Sequence, residues 1–231
     1  DVFLSFWKNR SLVWQLTKRD VIGRYRGSMF GILWSIFNPI LMLAVYTFVF
    51  NVVFKARWSN NVDESKTEFA IILFAGMIVF NLFSECVNRA PNLIVSNANY
   101  VKKVVFPLEV LPGVVLCSAI FHMLMSFIVL MVFVWITMSK IHWTLIYVPL
   151  VCLPLIFGTL GLCWLFASLG VYLRDIAQTI SIITTMIMFL SPIFFPVSSL
   201  PLMYQGLIKF NPLSFLIEQM RNVTIWGREP D

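Results

Sequence analysis

The side chains that could carry out chemistry are few in this chain. Its 231 residues include 17 lysines and arginines, 11 acidic residues and two histidines. His122 lies in an apolar run and His142 in a short turn, and the sequence gives neither a clear acidic or nucleophilic partner. Because a catalytic histidine needs a partner that orients it, we interpret His122 as a packed residue of a helix bundle.

The common nucleotide and metal motifs do not occur in the sequence. It contains no G-x-x-x-x-G-K-[ST], no G-x-G-x-x-G and no H-E-x-x-H, so neither a phosphate-binding loop nor a metallopeptidase helix is indicated. The four cysteines form no C-x-x-C pair, which argues against a zinc site and a disulfide framework. They are Cys86, Cys117, Cys152 and Cys163. We expect the chain to hold no metal and no cofactor of its own.

Five long runs of the chain contain no Asp, Glu, Lys or Arg. They are residues 27–54, 69–84, 110–139, 141–173 and 176–208. With 59% hydrophobic and 12% charged residues, the chain is far more apolar than a soluble domain, which has about 45–50% and about 25%. A spanning helix needs about 20 apolar residues, and the runs lack the alternation of barrel strands. The sequence therefore predicts an all-α integral membrane protein, a helix bundle with five visible spans.

The lack of ionisable groups in these runs bears on how transport would be powered. Carriers driven by proton or sodium gradients usually hold ionisable side chains at mid-membrane, costly as these are. If the chain moves a solute uphill, we therefore expect the energy to arrive mechanically from another subunit. The net charge of +6 is spread over loops, so nucleic acid is not an expected partner.

Positive charge before the first run predicts a cytoplasmic N-terminus. The predicted order is an interfacial amphipathic helix at 1–26, spans at 27–54, 69–87, 110–139, 144–173 and 176–195, a cytoplasmic coupling segment at 88–107, and a re-entrant outer hairpin at 196–225. The interfacial helix would place its bases toward anionic membrane lipid. The alternatives are a soluble helix docked on a partner for 1–26, a basic loop touching lipid for 88–107 and two interfacial helices for 196–225. Both ends look trimmed, and we expect a missing sixth span.

Prolines crowd the end of the fifth run. Three of them lie within eleven residues and cannot sit inside one regular helix, and the apolar pieces that follow are too short to cross a membrane. The residues that define the predicted outer hairpin are Pro192, Pro196, Pro201, Asn211, Pro212, Glu218 and Arg221. Glu218 and Arg221 are three residues apart and can pair on one helix face.

Four blocks of residues resemble a known family. They are Arg24-Tyr-Arg-Gly-Ser28 with Gly31, Trp34, Asn38-Pro39 and Tyr46; Lys103 with Phe106-Pro107 and Glu109-Val-Leu-Pro112; Arg174-Asp175-Ile176; and Asn211-Pro-Leu213 with Glu218 and Arg221. In this order the chain resembles permease subunits of bacterial ABC-type polysaccharide exporters, which move lipid-linked O antigen, capsule or teichoic acid chains. The resemblance implies a bacterial inner-membrane protein with six spans, in which two permeases form a channel and two ATPase subunits drive it.

Two sets of residues follow as candidates for this activity. The ATPase-coupling set is Asn92, Tyr100, Lys102, Lys103, Arg174 and Asp175. The substrate-channel set consists of aromatic rings, whose flat faces suit sugar C–H groups: Trp34, Tyr46, Phe189, Phe194 and Phe195. Aromatic belts and bundle packing explain such rings equally well.

Two other functions stay open from the residues. One is an ATP-driven exporter of lipid or drug. The other is a membrane-embedded glycosyltransferase or acyltransferase, for which only Glu85, Glu109 and Asp175 are placed near a membrane surface, without a motif.

Overall fold

The computed structural model describes residues 6–53, 58, 66–97, 107–139 and 141–230. Within those ranges the backbone forms α-helices joined by 3₁₀ and π turns, and no strand. The helices of nine or more residues are α1 (Arg10–Tyr25), α2 (Trp34–Thr47), α3 (Lys66–Arg89), α4 (Leu111–Met138), α5 (Val148–Tyr172), α6 (Ile176–Leu190), α7 (Leu202–Phe210) and α8 (Pro212–Arg221). The predicted all-α architecture is confirmed.

Four helical stretches are long and apolar enough to cross a membrane. They are Gly31–Phe50, Thr67–Ser96, Leu108–Met138 and Trp143–Tyr172. The fifth predicted span contains α6, whose 15 residues measure about 22 Å at 1.5 Å per residue. A hydrocarbon core is about 30 Å thick, so α6 by itself is shorter than a full crossing.

Helix α3 supplies the centre of the packing. In its apolar stretch 83% of the residues are buried by the rest of the chain, against 17% for Gly31–Phe50. Ile71, Ile72 and Ile78 of α3 pack with Leu130 of α4 and with Ile225. The low burial of the other stretches leaves large apolar surfaces facing outward, as expected for helices that contact lipid or another subunit.

Helix α1 buries one face against the protein and exposes the other. Val13 and Leu16 are buried and pack against Val110 and Val114, whereas Trp14 on the other face is 71% exposed. A tryptophan placed among bases on an exposed helix face is typical of the membrane interface.

Helix α6 ends at Leu190 because prolines follow it. Pro192 and Pro196 offer no backbone N–H, so a helix cannot continue through them, and residues 191–196 form turns before a 3₁₀ turn at Val197–Ser199. Helices α7 and α8 follow, and Asn211 caps α8 by accepting a hydrogen bond from the Leu213 N–H at 3.0 Å.

The chain folds as two compact units. The first comprises Asp1–Ile32, Leu82–His122 and Ile156–Met186, and the second Leu33–Asn81, Met123–Leu155 and Ile187–Asp231. The first unit holds the charged contacts described below and the described coupling candidates, and the second holds the aromatic candidates and the residues of the predicted outer hairpin.

Candidate functional site

The described coupling candidates, Asn92, Arg174 and Asp175, lie in the first unit. Asn92 is exposed in the 3₁₀ turn that follows α3, and Arg174 and Asp175 are exposed in the turn between α5 and α6. The backbones leading to these two turns approach closely, since a Cβ added at Gly170 would collide with the Pro91 carbonyl oxygen. Tyr100, Lys102 and Lys103 lie outside the described residues.

A cavity of about 560 Å³ with both polar and apolar lining opens beside Asn92. Its polar lining consists of amide, hydroxyl and charged side chains: Arg19, Asp20, Asn88, Arg89, Asn92, Ser96 and Asn97. The sequence gives no sign of this cavity, because its walls come from α1, from the end of α3, from residues 92–97 and from α4.

Two pairs of oppositely charged residues tie α1 to α3. We call Asp20, Arg24, Glu85 and Arg89 the charge ladder. Arg89 donates to both carboxylate oxygens of Asp20, from Nη2 at 2.7 Å and from Nη1 at 3.1 Å. Arg24 pairs with Glu85, and Arg89 Nη1 lies 3.5 Å from Glu85 Oε1. Each helix presents an acid and a base four residues apart, in an order that makes every cross-helix pair opposite in sign.

The ladder perturbs the titration of Asp20. Burial alone would raise the pKa of this carboxyl group, but the hydrogen bonds and charge of Arg89 lower the pKa below its usual value. The carboxylate therefore stays ionised at neutral pH, and the pair with Arg89 is a true ion pair.

His122 has the acidic partner that its sequence context does not show. Its Nδ1 lies 3.4 Å from Glu85 Oε2 and 3.2 Å from Arg24 Nη1. The expectation of a histidine without a clear partner is wrong, because Glu85 is 37 positions earlier in the chain and only the packing of α3 against α4 brings the two together. The ring still acts as a packed bundle residue, edge-on to Tyr25 and Phe121.

Phe189 and Phe194, two of the substrate-channel candidates, belong to one row of stacked rings in the second unit. The ring centroids of Phe189 and Phe194 are 5.9 Å apart, those of Phe194 and Phe50 are 6.3 Å apart, and those of Phe50 and Phe69 are 5.2 Å apart, all within 30° of parallel. Trp58 follows at 5.7 Å from Phe69. We call these five rings the aromatic row.

The other three candidates have different surroundings. Trp34 stands edge-on to Phe37 with centroids 6.4 Å apart, and Tyr46 packs against Phe74 at 6.4 Å. Phe195 is half-buried beside Phe194 in the chain. Sequence reasoning missed Phe50, Phe69 and Trp58 as members of the row.

The outer-hairpin residues are joined to the end of α6. Asn211 donates from Nδ2 to Ser191 Oγ at 3.0 Å while capping α8, and Pro212 occupies the first turn of α8. Pro201 precedes α7, and Pro196 precedes the 3₁₀ turn.

Arg221 is the most deeply buried charged side chain described, at 1% exposure. Its guanidinium donates to three backbone carbonyls: Nε to Ile72 at 3.0 Å, Nη1 to Pro192 at 2.6 Å and Nη2 to Ile193 at 3.0 Å. Burial lowers the pKa of Arg221 to about 9, against the opposing attraction of Glu218. The side chain therefore stays cationic at neutral pH and directs its donors to the backbone.

Among the described residues no group of three His, Cys, Asp or Glu side chains is placed to hold a metal ion. The charged side chains of the charge ladder bond to each other across the helices, and their arrangement holds α1 and α3 together.

Comparison with known proteins gives a consistent family. The ABC-2 type transporter model matches residues 11–225. An O-antigen export system permease protein RfbA of Klebsiella pneumoniae is 26% identical over 214 residues, covering 92% of this chain and 79% of the relative. The protein of that name from Myxococcus xanthus is 27% identical, with 98% and 85% covered. The polysialic acid transport protein KpsM of Escherichia coli is 24% identical, with 90% and 79% covered. Since the family model spans nearly all of the helical core, this chain belongs to the ABC-2 type transporter family of membrane proteins.

Proposed function

We propose that this chain is the transmembrane permease subunit of an ATP-driven exporter of lipid-linked polysaccharide of the O-antigen, capsule or teichoic acid type. The observation that carries the proposal is the likeness over 90–98% of the chain to permeases named for O-antigen and polysialic acid transport. Four apolar helical stretches long enough to cross a membrane agree with such a role.

The working unit in this proposal is two copies of the chain with two ATPase subunits in the bacterial inner membrane, N-termini in the cytoplasm. ATP and Mg²⁺ bind to the ATPases, because the chain has no phosphate-binding loop of its own. The low burial of Gly31–Phe50 and Leu108–Met138 leaves apolar surface that a second permease or lipid would cover.

Force from the ATPase would enter through the segment that follows α3 and through the turn after α5. Gly170 and Pro91 are in backbone contact. A displacement of the turn after α3 would therefore also move the end of α5, and the reverse. The charge ladder then joins α1 to the end of α3. The interfacial helix would move with the coupling segment as one body.

The aromatic row is the proposed contact for the glycan. Phe189, the first ring of the row, is 61% exposed, whereas Phe69 is only 5% exposed. The row therefore begins at an accessible ring and continues into the packed interior of the second unit. Ring faces attract sugar C–H groups with little directional preference, which suits a polymer that must slide.

A membrane-embedded transferase is less well supported. Of its three candidate carboxylates, Glu85 is engaged by Arg24, Arg89 and His122. A carboxylate held by two guanidinium groups is a poor general base, because its charge is already stabilised.

Deletion of the gene in its own bacterium tests the proposal. We expect surface polysaccharide to disappear while lipid-linked glycan accumulates inside the cell, and plasmid-borne permease to restore export only with an intact ATPase. In vesicles, extracted glycolipid should stimulate ATP hydrolysis by the complex. Stimulation by small hydrophobic drugs alone would identify a drug or lipid exporter, and group transfer by the purified chain without ATPase would identify a transferase.

A further inference from the structure

The guanidinium of Arg221 contacts the backbone next to one ring of the aromatic row and the face of another ring of the row. On one side it donates to the carbonyls of Pro192 and Ile193, which immediately precede Phe194. On the other side its Cζ lies 4.4 Å from the centroid of the Trp58 ring, the last ring of the aromatic row. We propose that Arg221 is the positioning residue of the glycan path, fixing the backbone before Phe194 and the Trp58 ring at the same time; this rests on the proposed function for the glycan contact itself.

The proline break explains why this position needs a cation with several donors. In a continuing helix the Pro192 carbonyl would accept from the N–H of residue 196, but that residue is proline and has none. Arg221 Nη1 supplies the missing donor at 2.6 Å. A buried carbonyl without a donor is costly. Removing the guanidinium should therefore let the backbone at Pro192 and Ile193 change its conformation.

The fork shape of arginine is required as well as its charge. Three N–H groups point to three carbonyls on two segments, Ile72 of α3 and the pair Pro192–Ile193. A lysine ammonium is a single point and cannot reach all three in this geometry. A substitution by lysine keeps the charge and loses the fixed spacing.

Gly76 provides the room for this arrangement. A Cβ added there would lie 2.8 Å from Arg221 Nη2 and 3.3 Å from Ile217 Cγ2. Substitution of Gly76 by alanine therefore displaces the guanidinium while Arg221 itself and its positive charge are kept. It is a second, independent way to disturb the same contact.

A ¹⁹F NMR label at position 194 reports the surroundings of this ring directly. With 4-trifluoromethylphenylalanine incorporated at position 194 of the full chain in its ATPase complex, we expect one sharp ¹⁹F resonance in the parent. Arg221→Lys, Arg221→Gln and Gly76→Ala should each shift or split it. Arg228→Lys, at an exposed arginine of the same segment, is the matched control and should leave it unchanged.

The transport readout comes from glycolipid-stimulated ATP hydrolysis by complexes with unlabelled permease. A displaced ring weakens one aromatic contact, so we expect the half-saturating glycolipid concentration to rise about three- to tenfold in Arg221→Lys and Gly76→Ala. A residue that only stabilises the fold would lower the yield of folded complex and leave this concentration unchanged.

The outcomes separate the two proposals. An unshifted resonance at position 194 in folded Arg221→Lys and Gly76→Ala complexes overturns the positioning role, as does an unchanged half-saturating concentration. If Arg221→Lys does not fold, Gly76→Ala decides. Failure of any glycolipid to stimulate the parent complex refutes the proposed function instead, and the ¹⁹F shift then tests the positioning of Phe194 alone.

Discussion

Reversing one charge of the ladder should destabilise the protein, and reversing its partner as well should restore most of the loss. Asp20 and Arg89 form the best contact, with two hydrogen bonds at 2.7 and 3.1 Å between side chains that are 27% and 32% exposed. Arg89→Glu alone places an acid opposite Asp20 and four residues from Glu85. Asp20→Lys alone places a base opposite Arg89 and four residues from Arg24.

The size of the effect follows from the partial burial of the pair. Exposed pairs contribute about 0–1 kcal/mol, and breaking a buried pair costs about 3–5 kcal/mol. A two-pronged, half-buried pair falls between them, so we expect a coupling free energy of about 2 kcal/mol. In the double variant both cross-helix pairs are again opposite in sign. Only the neighbours within each helix become like-charged, at about 0.2–0.5 kcal/mol for each helix.

Melting temperatures of the purified parent, the two single variants and the double variant give the coupling. For a protein of this size about 1 kcal/mol corresponds to about 2–4 °C, so the double variant should melt about 4–8 °C above the temperature that the summed single effects would give. Lys18→Glu is the matched control, because Lys18 lies on the exposed face of α1 and the substitution changes the net charge as much as Arg89→Glu does. It should shift the melting temperature by less than about 2 °C.

Additive effects of Asp20→Lys and Arg89→Glu would refute this reasoning. They would mean that the two side chains do not interact in the folded protein, and that this pair does not hold α1 to α3. A double variant less stable than both single variants would have the same meaning.

Three further predictions concern single contacts. Gly170→Ala should lower the melting temperature and export together, because its Cβ would collide with the Pro91 carbonyl oxygen; full stability would contradict the close approach. Asn211→Ala should lower the melting temperature by about 2–4 °C through loss of the cap on α8, and an unchanged value would show that the cap is dispensable. Lys102→Glu with Lys103→Glu should weaken co-purification with the ATPase while the permease stays folded, and undiminished co-purification would remove these lysines from the coupling set.

A matched control exists for the first of these. Gly158 lies in α5 like Gly170, and a Cβ added there meets nothing within 4 Å. Gly158→Ala should leave export unchanged and slightly raise helix stability, because alanine is the better helix former. If Gly158→Ala lowered export and the melting temperature as much as Gly170→Ala does, the Pro91 contact would not explain the effect at Gly170.

The sequence by itself determined the class of molecule. Runs without charge predict membrane helices because the gain from burying apolar side chains in lipid adds up along a helix, whatever its neighbours are. The prolines at 192 and 196 likewise predict the end of α6, since a missing N–H is a local property. Ordered blocks such as Arg174-Asp175-Ile176 were enough to point to the exporter family.

Tertiary structure alone decided which polar groups meet. Arg89 and Asp20 are 69 residues apart, and Arg221 reaches a carbonyl 149 residues away. The four-residue spacing within Asp20–Arg24 and Glu85–Arg89 was a readable hint, but it does not say which helix faces which. For Arg221 no hint exists in the residue types, because every residue carries a carbonyl oxygen and only the path of the backbone selects three of them.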